Sequence, residues 1–324
     1  MADFHDFHPD PARARELDAR MHDALADSLA YIGTRLVEAA HVEGDPFAEQ
    51  VAAIRAGARF GPEVFGTYYR LSFALLEDDF VTAGEARAAI AAARPAGDGL
   101  IRSRWGDPAI AERIGIYADR MAGETSGIVA ATQAEAEAFF ARLDEGFALL
   151  DHACPELAGE IRAILREVVV AAPDPASEMA FDGASHYQLW GLLLLNAQHH
   201  ETRLAVAEVL AHEAGHSLLF GFTIDAPLTL NGDDERYASP LRPDPRPMDG
   251  IYHATYVSAR MSYAMRRLAD SPALSSAERA QARAQMERDM RSFDAGHSVV
   301  AEHGRLSEPG AALMASARAF METL

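Results

Sequence analysis

Residues His212 to His216 spell His-Glu-Ala-Gly-His, which places two imidazoles and one carboxylate, that of Glu213, within a single helical turn. Residues four positions apart lie on one face of an α-helix, so both imidazoles can reach the same divalent metal. In zinc peptidases the glutamate of this His-Glu-x-x-His motif is the general base that deprotonates a metal-bound water. The surrounding apolar residues recur at helical spacing and predict a buried helix over residues 201–222. The sequence therefore predicts a metal centre here.

Two histidines need at least one further protein ligand. The metzincin class continues its motif with glycine and histidine, but Leu219 and Phe222 occupy those positions. Other zincins supply a glutamate from a later helix, and the helix expected to begin at Met248 contains none. That helix instead has His253 near its N-terminus. We predict His253 as the third metal ligand.

Three histidines leave the identity of the metal open, because imidazole ligands suit both zinc and iron. A three-histidine site with open positions can accept a bidentate co-substrate and dioxygen. Arg260 lies two helical turns after His253 on the same face, where its guanidinium is suited to bind the far carboxylate of a keto acid. Arg242 and Arg246, in the preceding proline-rich segment, are alternatives for this role.

The elements around the motif predict an α+β protein that is predominantly helical. A first helix begins at Asp10-Pro11, and capping boxes at residues 82–85 and 132–135 open two more, with a loop at residues 94–108. Residues 168–170 and 189–195 are short, apolar and predicted to be strands. A short sheet followed by the His-Glu-x-x-His helix is the order of a zincin-like metal half-domain, here preceded by a helical N-terminal region.

The chain is predicted to be one continuous globular unit with a helical region at residues 1–160 and a metal-binding catalytic region at residues 161–324. Residues 223–247 form a long polar loop that ends in a stiff segment containing four prolines. Loops of this length inside a compact domain are more often functional than not. Helices follow at residues 248–270 and 275–303, and a shorter one follows Pro309.

Composition excludes several classes of function. The net charge of −20 argues against a nucleic-acid partner or an anionic membrane surface. All 29 basic residues are arginine, so the protein has no Schiff-base lysine. Its one cysteine, Cys154, forms no internal disulfide, and the acidic N-terminus has no apolar signal core, so a cytoplasmic location is expected. Homodimerisation stays open.

The motif and two later segments together resemble a known family. They are Ser239-Pro240-Leu241-Arg242-Pro243-Asp244-Pro245-Arg246-Pro247 and Gly250-Ile251-Tyr252-His253-Ala254-Thr255-Tyr256-Val257-Ser258-Ala259-Arg260. The combination is similar to the HExxH-motif peptide-modification family, which is associated with the biosynthesis of ribosomally made, post-translationally modified peptides. The resemblance covers about residues 185–270.

The resemblance implies a non-haem Fe(II) dioxygenase that converts 2-oxoglutarate and O2 to succinate and carbon dioxide while it hydroxylates the β-carbon of a residue in a precursor peptide. His212, His216 and His253 would hold the iron. Arg260, or else Arg246 or Arg242, would bind 2-oxoglutarate. Glu213 would then orient a ligand instead of acting as a base. The alternative is a zinc metallopeptidase in which Glu213 is the general base.

Overall fold

The computed structural model describes residues 4–39, 42–97, 99–123, 125, 127–176 and 182–324. Within these ranges the chain forms eleven α-helices and one short 3-10 turn at Pro108–Ile110. The helices are α1 (Pro11–Glu38), α2 (Ala48–Arg55), α3 (Pro62–Leu76), α4 (Phe80–Ala92), α5 (Ala111–Arg120), α6 (Gln133–Ala153), α7 (Pro155–Ile164), α8 (Arg203–Phe222), α9 (Met248–Ala269), α10 (Ser276–His303) and α11 (Glu308–Met321).

Five short strands form a small mixed sheet in the described part of the chain. The central strands run parallel, in the order β1, β3, β5, whereas β4 pairs antiparallel with β5 and β2 pairs antiparallel with β3. The predominantly helical α+β class predicted from the sequence is confirmed. The strands are β1 (Ile101–Arg104), β2 (Ile128–Val129), β3 (Glu167–Pro173), β4 (Gly183–Ala184) and β5 (Leu192–Asn196).

Helix starts follow the capping residues that the sequence contains. Asp10 caps α1 by accepting a hydrogen bond from the backbone N–H of Ala12 at 2.7 Å, and the capping box predicted at residues 132–135 opens α6. The capping box predicted at residues 82–85 is wrong. The α4 helix begins two residues earlier, at Phe80, because Asp79 accepts the N–H of Thr82.

The prediction of a loop over residues 94–108 is wrong for residues 101–104, which form β1. This strand hydrogen-bonds in parallel register with β3, where Ile101 faces Glu167. Strand β5 begins at Leu192 and not at Leu189, because Gly191 adopts a positive φ of 86° in the turn before it. Both β3 and β5 are buried along nearly their whole length, as expected for inner strands of a parallel sheet.

The chain divides into two compact units, each assembled from separate stretches of sequence. One unit comprises Met1–Arg15, Glu137–Ala163 and His199–Leu324, and the other comprises Glu16–Ala136 and Ile164–Gln198. The first contains α8 to α11, and the second contains the sheet and α2 to α5. The boundary near residue 160 that the sequence suggests stays a prediction.

In the second unit, buried polar groups tie helices to the sheet. Glu167, at the start of β3, is fully buried and accepts hydrogen bonds from Ser103 and from the hydroxyl of Tyr117, the latter at 2.7 Å. The indole of Trp190 donates to Asp18 at 2.9 Å. Burial together with the negative charge of Glu167 raises the pKa of Tyr117, so the phenol remains a donor.

In the first unit, α9 is the central helix. It packs against α8 and α10, and its side chains are buried from Ile251 to Ser262. Close approach to α8 depends on Gly215, where a Cβ would lie 3.1 Å from the Cγ1 of Val257. Across the described residues, no helix has the length and apolar character needed to cross a membrane.

Asp289 on α10 gives a pH-dependent prediction. Burial raises its pKa to about 8, and the nearby charge of Glu208 adds to this; its Oδ2 has no hydrogen-bond partner. Folded Asp289 therefore keeps its proton between about pH 4 and 8, where the unfolded chain loses it, so stability falls as pH rises through this window. Replacing Asp289 with Asn should remove this pH-dependent fall in stability. Within this window, the free energy of unfolding of the variant should therefore increase relative to that of wild type by on the order of 1 kcal/mol for each pH unit.

Urea unfolding at pH 4.5, 6 and 7.5 measures the difference. Glu287→Gln, on the exposed face of α10, is the matched control and should leave the pH profile unchanged. A constant difference between Asp289→Asn and wild type at all three pH values would contradict the raised pKa.

Candidate functional site

The two motif histidines lie on one face of α8, as their spacing predicts. Thr202 caps this helix by accepting the N–H of Ala205 at 3.1 Å. The Nε2 atoms of His212 and His216 are 3.2 Å apart, and their ring centroids are separated by 4.9 Å. Two imidazole nitrogens at this separation can share one metal ion, because zinc–nitrogen bonds are about 2.0–2.1 Å long.

His253, on the first turns of α9, joins this pair. Its Nδ1 lies 3.0 Å from the Nδ1 of His216, and the two rings are stacked at an interplanar angle of 17°. The ring of Phe220 covers His253 at a centroid distance of 5.3 Å. The structure thus brings together all three histidines that the sequence singled out. His216 on α8 and His253 on α9 are separated by 37 positions in the sequence.

The three rings form a hydrogen-bonded row. His216 uses Nε2 toward His212 and Nδ1 toward His253, so the three ligating atoms do not point at one centre. In the parts of the chain that the structure describes, no group of three or more His, Cys, Asp or Glu side chains is arranged to hold a metal ion. The pair on α8 fits a metal in donor type and spacing, and His253 supplies the nearest third imidazole.

Burial keeps two of these imidazoles neutral. It lowers the pKa of His216 well below its usual value, and the nearby charges of His212, His253 and Arg242 lower it further. Burial also lowers the pKa of His253, although Asp249, whose Oδ2 is 4.0 Å from Nε2, opposes this. A neutral imidazole has a free lone pair on one nitrogen, which is the form that binds metals.

Glu213 is buried beside the first histidine. Its Oε1 lies 3.9 Å from the Nε2 of His212. This position is compatible with either role considered for it, a base acting on a metal-bound water or a group that orients a ligand.

Arg260 is placed in a buried ionic network. Its guanidinium pairs with Glu160 and donates to the carbonyl of Phe7 at 2.9 Å, and the residue is only 1% exposed. Arg13 shares the same carboxylate at 3.4 Å. Burial, with the charge of Arg13 adding to it, lowers the pKa of Arg260 to about 9. Its charge is therefore used to hold the N-terminal segment and α7 against α9.

The two loop arginines differ in their partners. Arg246 pairs with Asp244 at 2.8 Å. Arg242 is exposed, lies close enough to His216 to influence its pKa, and has no ion pair among the described residues. Of the three arginines predicted to bind a co-substrate, Arg242 is thus the one whose charge lies near the histidines and is not neutralised.

Three residues that contact the predicted site residues were not anticipated from the sequence. Phe220 and Asp249 stand four residues from His216 and His253 respectively, so helical spacing could have pointed to both. Glu160 could not have been found in this way, because it lies 100 positions from its partner Arg260.

No protein-family model matches the chain, and a search of curated proteins finds no significant relative. The resemblance of residues 185–270 therefore stays a hypothesis drawn from the sequence.

The Arg260–Glu160 pair generates a stability prediction. Glu160→Gln keeps the shape of the side chain but leaves two buried guanidinium groups without a negative partner. Breaking a buried ion pair in this way costs about 3–5 kcal/mol of unfolding free energy. Chemical denaturation followed by circular dichroism measures this loss.

Glu156→Gln, on the exposed side of the same helix α7, is the control and should change stability by less than about 0.5 kcal/mol. Equal stability of the two variants would show that the network contributes nothing.

Proposed function

We propose that the protein is a non-haem Fe(II)- and 2-oxoglutarate-dependent dioxygenase that hydroxylates the β-carbon of a residue in a ribosomally synthesised precursor peptide. The observation that supports the metal centre is the contact among His212, His216 and His253, two of them kept neutral by burial. The peptide substrate and the position of hydroxylation rest on the sequence resemblance alone.

In this proposal His212, His216 and His253 hold the iron, which when bound activates dioxygen for insertion into a carbon–hydrogen bond. The overall reaction balances as peptide, O2 and 2-oxoglutarate giving hydroxylated peptide, succinate and carbon dioxide. Glu213, buried against His212, orients that ligand. The zincin-like half-domain belongs to the same proposal, with β5 followed directly in the chain by α8.

Arg242 binds the distal carboxylate of 2-oxoglutarate in this assignment. The positive charge of Arg242 is one of the causes of the lowered pKa of His216. Arg242 forms no ion pair with a carboxylate among the described residues. The backbone at Arg242 is held by Ser239, because the N–H groups of Leu241 and Arg242 both donate hydrogen bonds to the Ser239 hydroxyl, at 3.3 and 3.1 Å. Arg260 would have to leave Glu160 to serve the same role, at the cost of an unpaired buried charge.

The protein would act in the cytoplasm on its precursor peptide, without nucleic acid or membrane as partner. The strongly negative net charge and the lone cysteine of the sequence support this part of the proposal.

The ligand set predicts which variants lose iron. His216→Ala and His253→Ala should each weaken Fe(II) binding by at least about 100-fold, because each removes one of three nitrogen donors. Metal content after anaerobic loading and desalting measures this. His152→Ala, an exposed histidine on α6, should retain the wild-type stoichiometry. Retention of one iron per chain by His253→Ala would remove that residue from the ligand set.

The co-substrate assignment is tested by anaerobic titration of the Fe(II)-loaded protein with 2-oxoglutarate, followed by the visible metal-to-ligand charge-transfer absorption. Arg242→Gln should raise the Kd by about 10-fold or more, since a charge-assisted hydrogen bond contributes about 1.5–3 kcal/mol. Arg246→Gln, in the same loop, is the matched control because Asp244 already neutralises that side chain.

Two outcomes would redirect the proposal. A weakened Kd in Arg246→Gln but not in Arg242→Gln would reassign the carboxylate-binding arginine. Absence of the absorption, with tightly retained zinc and a peptide hydrolysis that Glu213→Gln abolishes, would favour the metallopeptidase, for which the nearness of Glu213 to His212 provides the geometry.

A further inference from the structure

The turn between α3 and α4, in the second unit, exposes an unusual group of apolar side chains. Leu76 ends α3, Phe80 and Val81 begin α4, and they are 80%, 64% and 75% exposed. Phe73, one turn before Leu76, is also exposed. Grouped apolar exposure of this kind marks interaction sites on soluble proteins. These four residues are called the α3–α4 patch below.

Aromatic rings extend the α3–α4 patch. The ring of Phe73 lies 6.5 Å from that of Tyr69, which lies 6.1 Å from the partly exposed ring of Tyr187. The guanidinium of Arg120 covers one side of Phe73 at 5.3 Å. The apolar surface therefore runs from the tip of the helical turn along α3 toward Tyr187.

The rim of the patch is acidic. Glu77, Asp78 and Asp79 fill the turn between Leu76 and Phe80, and all three are exposed. Asp79 caps α4, but Glu77 and Asp78 have no ion pair among the described residues. Two negative charges are thus available directly beside the most exposed apolar side chains.

The conformation of the turn holds these groups in place. Asp78 has a φ of 58°, the one non-glycine residue with positive φ in the described part of the chain, and aspartate is among the few residues that adopt this conformation. The N–H of Asp79 donates to the carbonyl of Ala74 at 2.8 Å. A fixed turn lowers the ordering cost of binding.

We propose that the α3–α4 patch binds an amphipathic peptide segment whose apolar side chains are flanked by arginine or lysine. The apolar anchors would contact Leu76, Phe80 and Phe73, and the basic groups would pair with Glu77 and Asp78. A second copy of the chain fits poorly, because a symmetric contact would bring two acidic rims together in a protein of net charge −20. The inference stands whether or not the histidines of the first unit bind iron.

Fluorescence anisotropy of the full chain with a short labelled peptide of leucine and arginine at helical spacing tests the inference. Leu76→Ser/Phe80→Ser should weaken binding by about 10-fold or more. Tyr31→Ser, which removes an apolar side chain that is 68% exposed on α1 in the same unit, should leave the affinity unchanged. A comparison peptide with glutamate in place of arginine should not bind.

The electrostatic contribution is separated by Glu77→Gln/Asp78→Asn, in which asparagine keeps the left-handed preference at residue 78. This variant should bind more weakly at low salt and show a smaller salt dependence than wild type. All the substituted side chains are exposed, and circular dichroism verifies that each variant is folded.

Equal affinity of Leu76→Ser/Phe80→Ser and Tyr31→Ser would overturn the proposal, since binding would then reflect general attraction to an acidic protein. A wild-type dimer that Leu76→Ser/Phe80→Ser converts to a monomer in sedimentation velocity would overturn it in favour of a second copy as the occupant.

Discussion

The close contact between α8 and α9 is the constraint on which the candidate metal centre depends. Gly215 stands between the two motif histidines, and the side chains of Val257 and Arg260 pack directly against the position that its Cβ would occupy. A Cβ at this position would lie 3.1 Å from the Cγ1 of Val257, a tight contact that requires the valine side chain or the helix to shift by a few tenths of an ångström. Because His216 and His253 meet only across this contact, the glycine of His-Glu-Ala-Gly-His is part of the geometry of the site and not a neutral spacer.

The same packing determines which charges are available to a ligand. Arg260 lies against α8 but is buried, and a buried guanidinium requires a negative partner, here Glu160. On the proposed function, the charge that binds the co-substrate comes instead from an exposed group. The loop after α8 supplies such a group in Arg242. Burial thus distinguishes Arg260, which the sequence favours for this role, from Arg242, which the sequence gives only as an alternative.

Local signals were sufficient for most helices and for the motif histidines, because periodicity, capping residues and four-residue spacing act over a few positions. The missed strand β1 has the sequence Ile-Arg-Ser-Arg, with little apolar alternation, and it exists because β3, more than 60 residues later, offers a parallel partner. Asp79 displaced Thr82 as the cap of α4, a competition between neighbouring acceptors that composition does not decide. His253 was predicted by elimination of other ligands. The pairing of Arg260 with Glu160 spans 100 positions, so no local sequence pattern could predict it.

The row of imidazoles is compatible with metal binding on energetic grounds. To ligate one ion, His216 can keep only one of its two ring nitrogens for the metal, so at least one imidazole–imidazole hydrogen bond must be given up. A hydrogen bond of this kind contributes about 1 kcal/mol to stability. On the proposed function this cost is small, and no proton would need to leave His216 or His253, because burial has already lowered their pKa values. On the proposed function, an ion would therefore replace contacts that these neutral imidazoles make with one another.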